Sequence, residues 1–118
     1  MNPEIKKQWV DALRSGKYKQ YKGALRGINK NGDTSYCCLG VLCELHRKKM
    51  KKKGWQCDTN NRLHVYAGRH SYLPNKVVKW ADLEHASPYI PSKKEALSDL
   101  NDNGASFDEI ATIIEENL

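Results

Sequence analysis

The stretch Tyr36-Cys37-Cys38-Leu39-Gly40-Val41-Leu42-Cys43 decides how this chain is read, because it is eight apolar residues in a row in a protein whose residues are 29% charged. A run of that length fits a buried strand or a buried helix, and periodicity alone does not separate the two. Helix is the expected state. Only Val41 is β-branched, and Asp33, Thr34 and Ser35 upstream are residue types that cap helix N-termini. The basic run Arg47, Lys48, Lys49, Lys51, Lys52 and Lys53 then falls at the helix C-terminus, where the macrodipole favours cations, and Gly54 ends the element.

Upstream, Asn2-Pro3 predicts a capped helix start, with Ile5, Trp9, Val10 and Leu13 on one stripe and Gly16 as its C-terminal stop. Lys17 to Lys22 reads as a basic, aromatic loop, Gly23 to Ile28 as a short strand, and Asn29-Lys30-Asn31-Gly32-Asp33 as a turn. Downstream, Trp55 and Cys57, then Leu63 and Val65, alternate with polar residues around Asp58-Thr59-Asn60-Asn61, which predicts a β-hairpin. Leu73-Pro74 opens a helix carrying Val77, Val78, Trp80, Ala81 and Leu83, and Pro88 and Pro91 mark an irregular connection. Two capping boxes follow. Ser92-Lys93-Lys94-Glu95 predicts a helix burying Ala96, Leu97 and Leu100; Ser106-Phe107-Asp108-Glu109 predicts a last helix burying Phe107, Ile110, Ile114 and Leu118. The expected fold class is α+β: about five helices packed on a small antiparallel sheet of two to four strands. At 118 residues the chain reads as a single globular domain over 1–118, able to bury roughly 65% of its unfolded surface without metal or disulfide.

Charge is unevenly distributed. The net charge is +6, yet residues 1–53 carry +10 and residues 54–118 carry −4. Such polarity points to an anionic partner on one face. No apolar stretch approaches the roughly 20 residues of a membrane span, and the N-terminus lacks a signal-peptide core, so a cytoplasmic protein with no membrane partner is expected. Buried, reduced thiols at Cys37, Cys38 and Cys43 fit that compartment.

The residues of Lys22-Gly23-Ala24-Leu25-Arg26, of Tyr36 through Leu45, of Leu73-Pro74 with Val77, Val78 and Trp80, and of Leu100-Asn101-Asp102 with Gly104, Ser106-Phe107 and Glu109-Ile110-Ala111 resemble small hypothetical proteins encoded by tailed phages and prophages. The resemblance covers most of the chain. It implies a phage origin and an address in the host-cell cytoplasm, and it carries over no catalytic residue.

The expected function is therefore non-enzymatic binding of an anionic partner by a phage accessory protein. That partner is a nucleotide-type ligand, sequestered as a host signal, or an acidic surface of a host protein. Lys17, Lys19, Lys22 and Arg26 are the expected charge contacts and Tyr18 and Tyr21 the stacking platforms. The Arg47–Lys53 run has no aromatic and suits a nonspecific basic surface, which leaves nonspecific nucleic-acid binding as one alternative. A small cysteine-dependent enzyme is another, with Cys37 or Cys38 near a helix N-terminus, His64 on a following strand and Asp58 to orient it. Cys43, His46, Cys57 and His64 match no common zinc spacing, and no cofactor is expected. The segment from Leu100 to Ala111 echoes half of a helix-turn-helix, but no recognition helix follows and its charge would repel phosphates.

Overall fold

The computed structural model describes residues 1–51, 53–60 and 62–118. Helix α1 (Pro3–Arg14) begins as its sequence requires: the Asn2 side chain accepts hydrogen bonds from the Glu4 and Ile5 amides at 2.9 and 3.1 Å. Its stripe of Ile5, Trp9, Val10 and Leu13 is buried, chiefly along the last helix, α5 (Phe107–Asn117). Arg14 crosses to Glu115 and Thr112 on that helix. The α5 capping box is complete, with Ser106 Oγ accepting from the Glu109 amide and the Glu109 carboxylate accepting from the Ser106 amide.

The apolar run is divided between two elements. Tyr36 ends strand β3 (Thr34–Tyr36), which lies between β1 (Lys19–Gln20), parallel to it, and β2 (Arg26–Ile28), antiparallel to it. Helix α2 (Cys38–Met50) then begins at the second cysteine. Its cap is not Asp33, Thr34 or Ser35, because Thr34 and Ser35 are committed to the central strand; the Cys37 thiol accepts from the Gly40 amide at 3.4 Å instead. The helix also stops before Gly54, at Lys51, which adopts a left-handed φ of +53°.

Gly40 sets the position of α2. A Cβ there would stand 1.8 Å from the Leu25 carbonyl oxygen, so helix backbone and the Leu25 segment touch directly, and no other residue fits. From that contact outward α2 is buried on nearly every side: Cys38, Leu39, Val41, Leu42 and Cys43 belong to one cluster with Trp9, Leu25, Leu73, Val77, Ile90, Leu97 and Ile110. Trp9 Nε1 donates to the Cys38 carbonyl at 2.9 Å, which anchors α1 on the first turn of α2.

The expected hairpin forms from β4 (Trp55–Cys57) and β5 (His64–Tyr66), and α3 (Asn75–Ala81) follows. The Pro88–Pro91 connection contains β6 (Tyr89–Ile90), antiparallel to β7 (Glu95–Ala96). This pairing overturns the helix start expected at Ser92. Ile90 is buried and pairs with Glu95, Lys94 takes a left-handed φ of +55°, and α4 begins only at Leu97 (Leu97–Asp102). The architecture is α+β, with five helices among the described residues and small sheets that are antiparallel except at β1–β3. Among the described residues no helix is long and apolar enough to cross a membrane.

Candidate functional site

The two basic segments meet. Lys48, in the last turn of α2, donates from Nζ to Tyr18 Oη at 3.1 Å and lies 5.5 Å from the centre of the Tyr18 ring. Lys48 thus brings the last turn of α2 against the Lys17–Lys22 segment. In these two segments and just beyond α2, Lys17, Lys49, Lys51 and Lys53 are exposed, and among the described residues none of them is paired with a carboxylate. Lys52 lies outside the described residues.

From Tyr18 runs a row of rings in successive contact: Tyr18 with Tyr36 at 5.4 Å, Tyr36 with Trp55 at 6.0 Å, Trp55 with Tyr66 at 5.1 Å, Tyr66 with His46 at 5.7 Å, and His46 with Trp80 at 5.1 Å. Most of these contacts are edge-on, the arrangement ring quadrupoles favour. Glu44 fixes the middle of the row. It is only 7% exposed and accepts from Trp55 Nε1 at 3.0 Å and from Arg47 at 2.6 and 2.8 Å. Burial pushes its carboxyl up, but the hydrogen bonds from Arg47 and Trp55 and the Arg47 charge outweigh that, and the group sits below its ordinary value. At the far end the His46 Nδ1 and Tyr66 Oη atoms are 2.7 Å apart and hydrogen-bonded, and burial pushes the Tyr66 phenol up to about 12.

The other expected contacts are placed differently. Lys19 is paired with Asp33. Lys22 is exposed beside Gly23, whose amide donates to Asp102. The Tyr21 ring covers Gly27 so closely that a Cβ on Gly27 would fall 2.3 Å from Cζ, so that face of the ring is occupied by backbone. Arg26 joins β2 to the β4–β5 hairpin: its guanidinium carbon lies 4.5 Å from the centre of the Trp55 ring, Nε donates to His64 Nδ1 at 2.8 Å, and an Nη donates to Cys57 Sγ at 3.4 Å. Arg26 is thus a joint between two sheets. Tyr18 and Tyr21 likewise serve the fold.

The thiols of the apolar run are not poised for attack. Burial is the main cause that raises Cys37 to about 11 and holds Cys38 and Cys43 well above the ordinary thiol value. Cys37 Sγ is occupied as a helix cap, and Cys38 Sγ donates to the Leu97 carbonyl at 3.6 Å. His64 is joined to Arg26, while Asp58 accepts from the Arg62 amide. The residues weighed for zinc are otherwise engaged: Cys43 lies in the core, His46 bonds Tyr66, and Cys57 and His64, though cross-strand partners, both accept from Arg26. Among the described residues no group of three or more His, Cys, Asp or Glu side chains is placed to hold a metal ion.

Asn101, read only as part of a helical hairpin, is a fully buried hub. Its Oδ1 accepts from Gln20 Nε2 at 2.8 Å and from the Cys38 amide at 3.2 Å, and its Nδ2 donates to the Tyr21 carbonyl at 2.8 Å. It ties α4 to β1 and to the start of α2. The hairpin register could have revealed the Trp55–Tyr66 pair, since the two are cross-strand partners. The Glu44–Arg47 pair has the i,i+3 spacing of a helix and was open to a local reading, but nothing local marks Trp55 as a partner of Glu44, Tyr18 as a partner of Lys48, or Gln20 and Cys38 as partners of Asn101.

No curated protein and no solved structure matches the chain. The model of one family does match, from residue 1 to residue 118, and the chain therefore belongs to the family described as a domain of unknown function, DUF8296.

Proposed function

We propose that the protein binds an anionic partner where the Lys17–Lys22 segment meets the C-terminal end of α2. It does so without covalent chemistry, as a phage accessory protein in the host cytoplasm. One observation supports this reading: the Lys48–Tyr18 contact brings two basic segments together, and in and beside them Lys17, Lys49, Lys51 and Lys53 are exposed without carboxylate partners among the described residues. Evenly mixed surfaces pair such charges; a cluster left unpaired on one face raises the local concentration of anions and speeds their encounter. Because Tyr18, Tyr21 and Arg26 are engaged internally, the lysine ammonium groups supply the attraction and base stacking does not.

Binding of this kind weakens as salt screens it. The test is fluorescence anisotropy with labelled polyglutamate and a single-stranded oligonucleotide of equal charge, across a salt series. Both are expected to bind at low salt, with affinity falling steeply as salt rises, and Lys49→Gln combined with Lys51→Gln is expected to weaken both. Absence of binding to either polyanion at low salt overturns the reading.

A further inference from the structure

We infer that a cavity beside the end of α2 is a binding site for a small phosphate monoester, an inference that rests on the anionic-partner reading above and gives it a specific ligand class. The cavity has a volume of about 330 Å³ and is lined by His46, Lys53, Gly54, Tyr66, Ala67 and Lys76. That volume is at the lower end of the roughly 300–1,000 Å³ typical of small-molecule sites. It suits a phosphorylated ring compound such as a mononucleotide better than a polymer.

The charge of the lining selects for anions. Among the described residues two lysines line the space and no carboxylate does. Other cavities of the molecule are different: Asp82 and Glu84 line one, Asp11 and Glu115 another, Asp108 a third, and Asp99 and Asp102 a smaller fourth. Lys53 and Lys76 come from separate elements, the connection from α2 to β4 and the first turn of α3, so the two charges converge only in the folded state. Lysine binds phosphate as a point charge.

The walls are fixed before any ligand arrives. Gly54 has a φ of +79°, and a Cβ there would fall 2.6 Å from the Arg47 stem and 2.8 Å from the Tyr66 ring, so the Lys53–Gly54 wall is held against both. Next to it, Tyr66 and Arg69 exchange backbone hydrogen bonds at 2.8 and 3.0 Å around a two-residue turn in which Ala67 takes φ +48° and Gly68 φ +83°. A residue with a Cβ pays for that conformation, and such outliers gather where a binding wall must keep its shape. The His46–Tyr66 pair supplies a buried, partly polar aromatic floor, backed by Trp80 and Trp55. A ring can lie on that floor while its phosphate reaches the lysines.

The site is tested with the full chain by amide NMR titration and tryptophan fluorescence, using adenosine 5′-monophosphate, inorganic phosphate and adenosine as probes. The monophosphate is expected to shift the Gly54, Ala67 and Lys76 amides saturably and to perturb Trp80 and Trp55. Phosphate should do so more weakly and adenosine least. Lys76→Gln is expected to weaken the monophosphate roughly tenfold or more, whereas Lys30→Gln, in the exposed Asn29–Asp33 turn, should leave it unchanged. If the polyanions above bind but the monophosphate does not, or its shifts map elsewhere, or Lys76→Gln has no effect, the cavity assignment is overturned and the basic face stands. If neither polyanion nor monophosphate binds, both readings fall.

Discussion

The two ends of α2 obey different rules. At its start, Gly40 touches the Leu25 carbonyl, Trp9 donates to Cys38, and Asn101 receives the Cys38 amide, so each residue there is fixed by a specific neighbour. At its finish, Lys49 and Lys51 have no carboxylate partner among the described residues and face solvent. One helix therefore carries an end whose sequence is set by contact geometry and an end whose sequence is set by charge. Substitutions at the first should cost stability, and at the second should cost binding while leaving the fold alone. Arg47 and Glu44 mark the boundary, since their ion pair is the last tightly packed polar contact before the lysines begin.

Gly40→Ala is the strongest way to break this contrast. Alanine favours helix over glycine by about 1 kcal/mol, so a permissive site would gain stability. Here the added methyl meets backbone that cannot swing aside, and a loss of about 3 kcal/mol is expected, at the upper end for overpacking. Urea unfolding measures it. A variant as stable as the parent would mean that α2 and the Leu25 segment do not touch, and the tight end of the helix would lose its defining contact.

Asn101→Ala comes next, at about 2–3 kcal/mol, because it removes the acceptor of the buried Cys38 amide and the donor to the Tyr21 carbonyl, and leaves the Gln20 side chain only its bond to the Ala105 carbonyl. A loss below about 1 kcal/mol would show that water replaces the amide, and that the start of α2 is less dry than its burial implies.

What the sequence could and could not reveal follows the same division between local and distant causes. Asn2-Pro3 and the Ser106–Glu109 box were legible because cap and capped amide lie within three residues of each other. The Ser92–Glu95 box has the same spelling and fails. A cap contributes only about 1 kcal/mol, and pairing β7 with β6 places Ile90 in the core. The helix at Cys38 was legible from its composition, but its cap was not, because the expected cap residues Thr34 and Ser35 belong to a strand whose partners, β1 and β2, are set by the whole sheet. Of the candidate site, the lysines were visible as a run. Their meeting with Tyr18, 30 residues away, and the withdrawal of Arg26 into a joint with His64, 38 residues away, depend on tertiary contacts that no local pattern encodes.

Glu44→Gln probes the boundary between the two ends. The neutral side chain can still accept from Trp55 but loses the charge-assisted pair with Arg47, and a cost of about 1–2 kcal/mol at neutral pH is expected. The sign with pH is fixed by the carboxyl being held low in the folded protein. Its contribution is complete above the ordinary glutamate value of about 4.3 and is lost as pH falls through the lower folded value. Stability measured against pH should therefore fall less steeply on the acid side in the variant than in the parent. Parallel profiles would mean that Glu44 is not the group that couples the ring row to the basic end.

The smallest effect on stability, and the sharpest contrast, is expected from the lysines. Lys49→Gln with Lys51→Gln removes two exposed charges that hold nothing in place, so unfolding free energy should change by no more than about 0.5 kcal/mol. Lys48→Gln is the internal control. It breaks the contact with Tyr18 and should cost about 0.5–1 kcal/mol, the usual worth of an exposed cation over a ring. Relief of repulsion among neighbouring cations acts in the opposite direction and grows as salt is removed. A double variant that is slightly more stable than the parent at low salt, and equal to it at high salt, would identify the run as charge kept at a cost to the fold. Such a cost makes sense only if the charge is used, which is why the same variant must also weaken anion binding. If it gains stability and loses no binding, the lysine end of α2 is a solvated helix terminus, and the difference between the two ends is one of exposure alone.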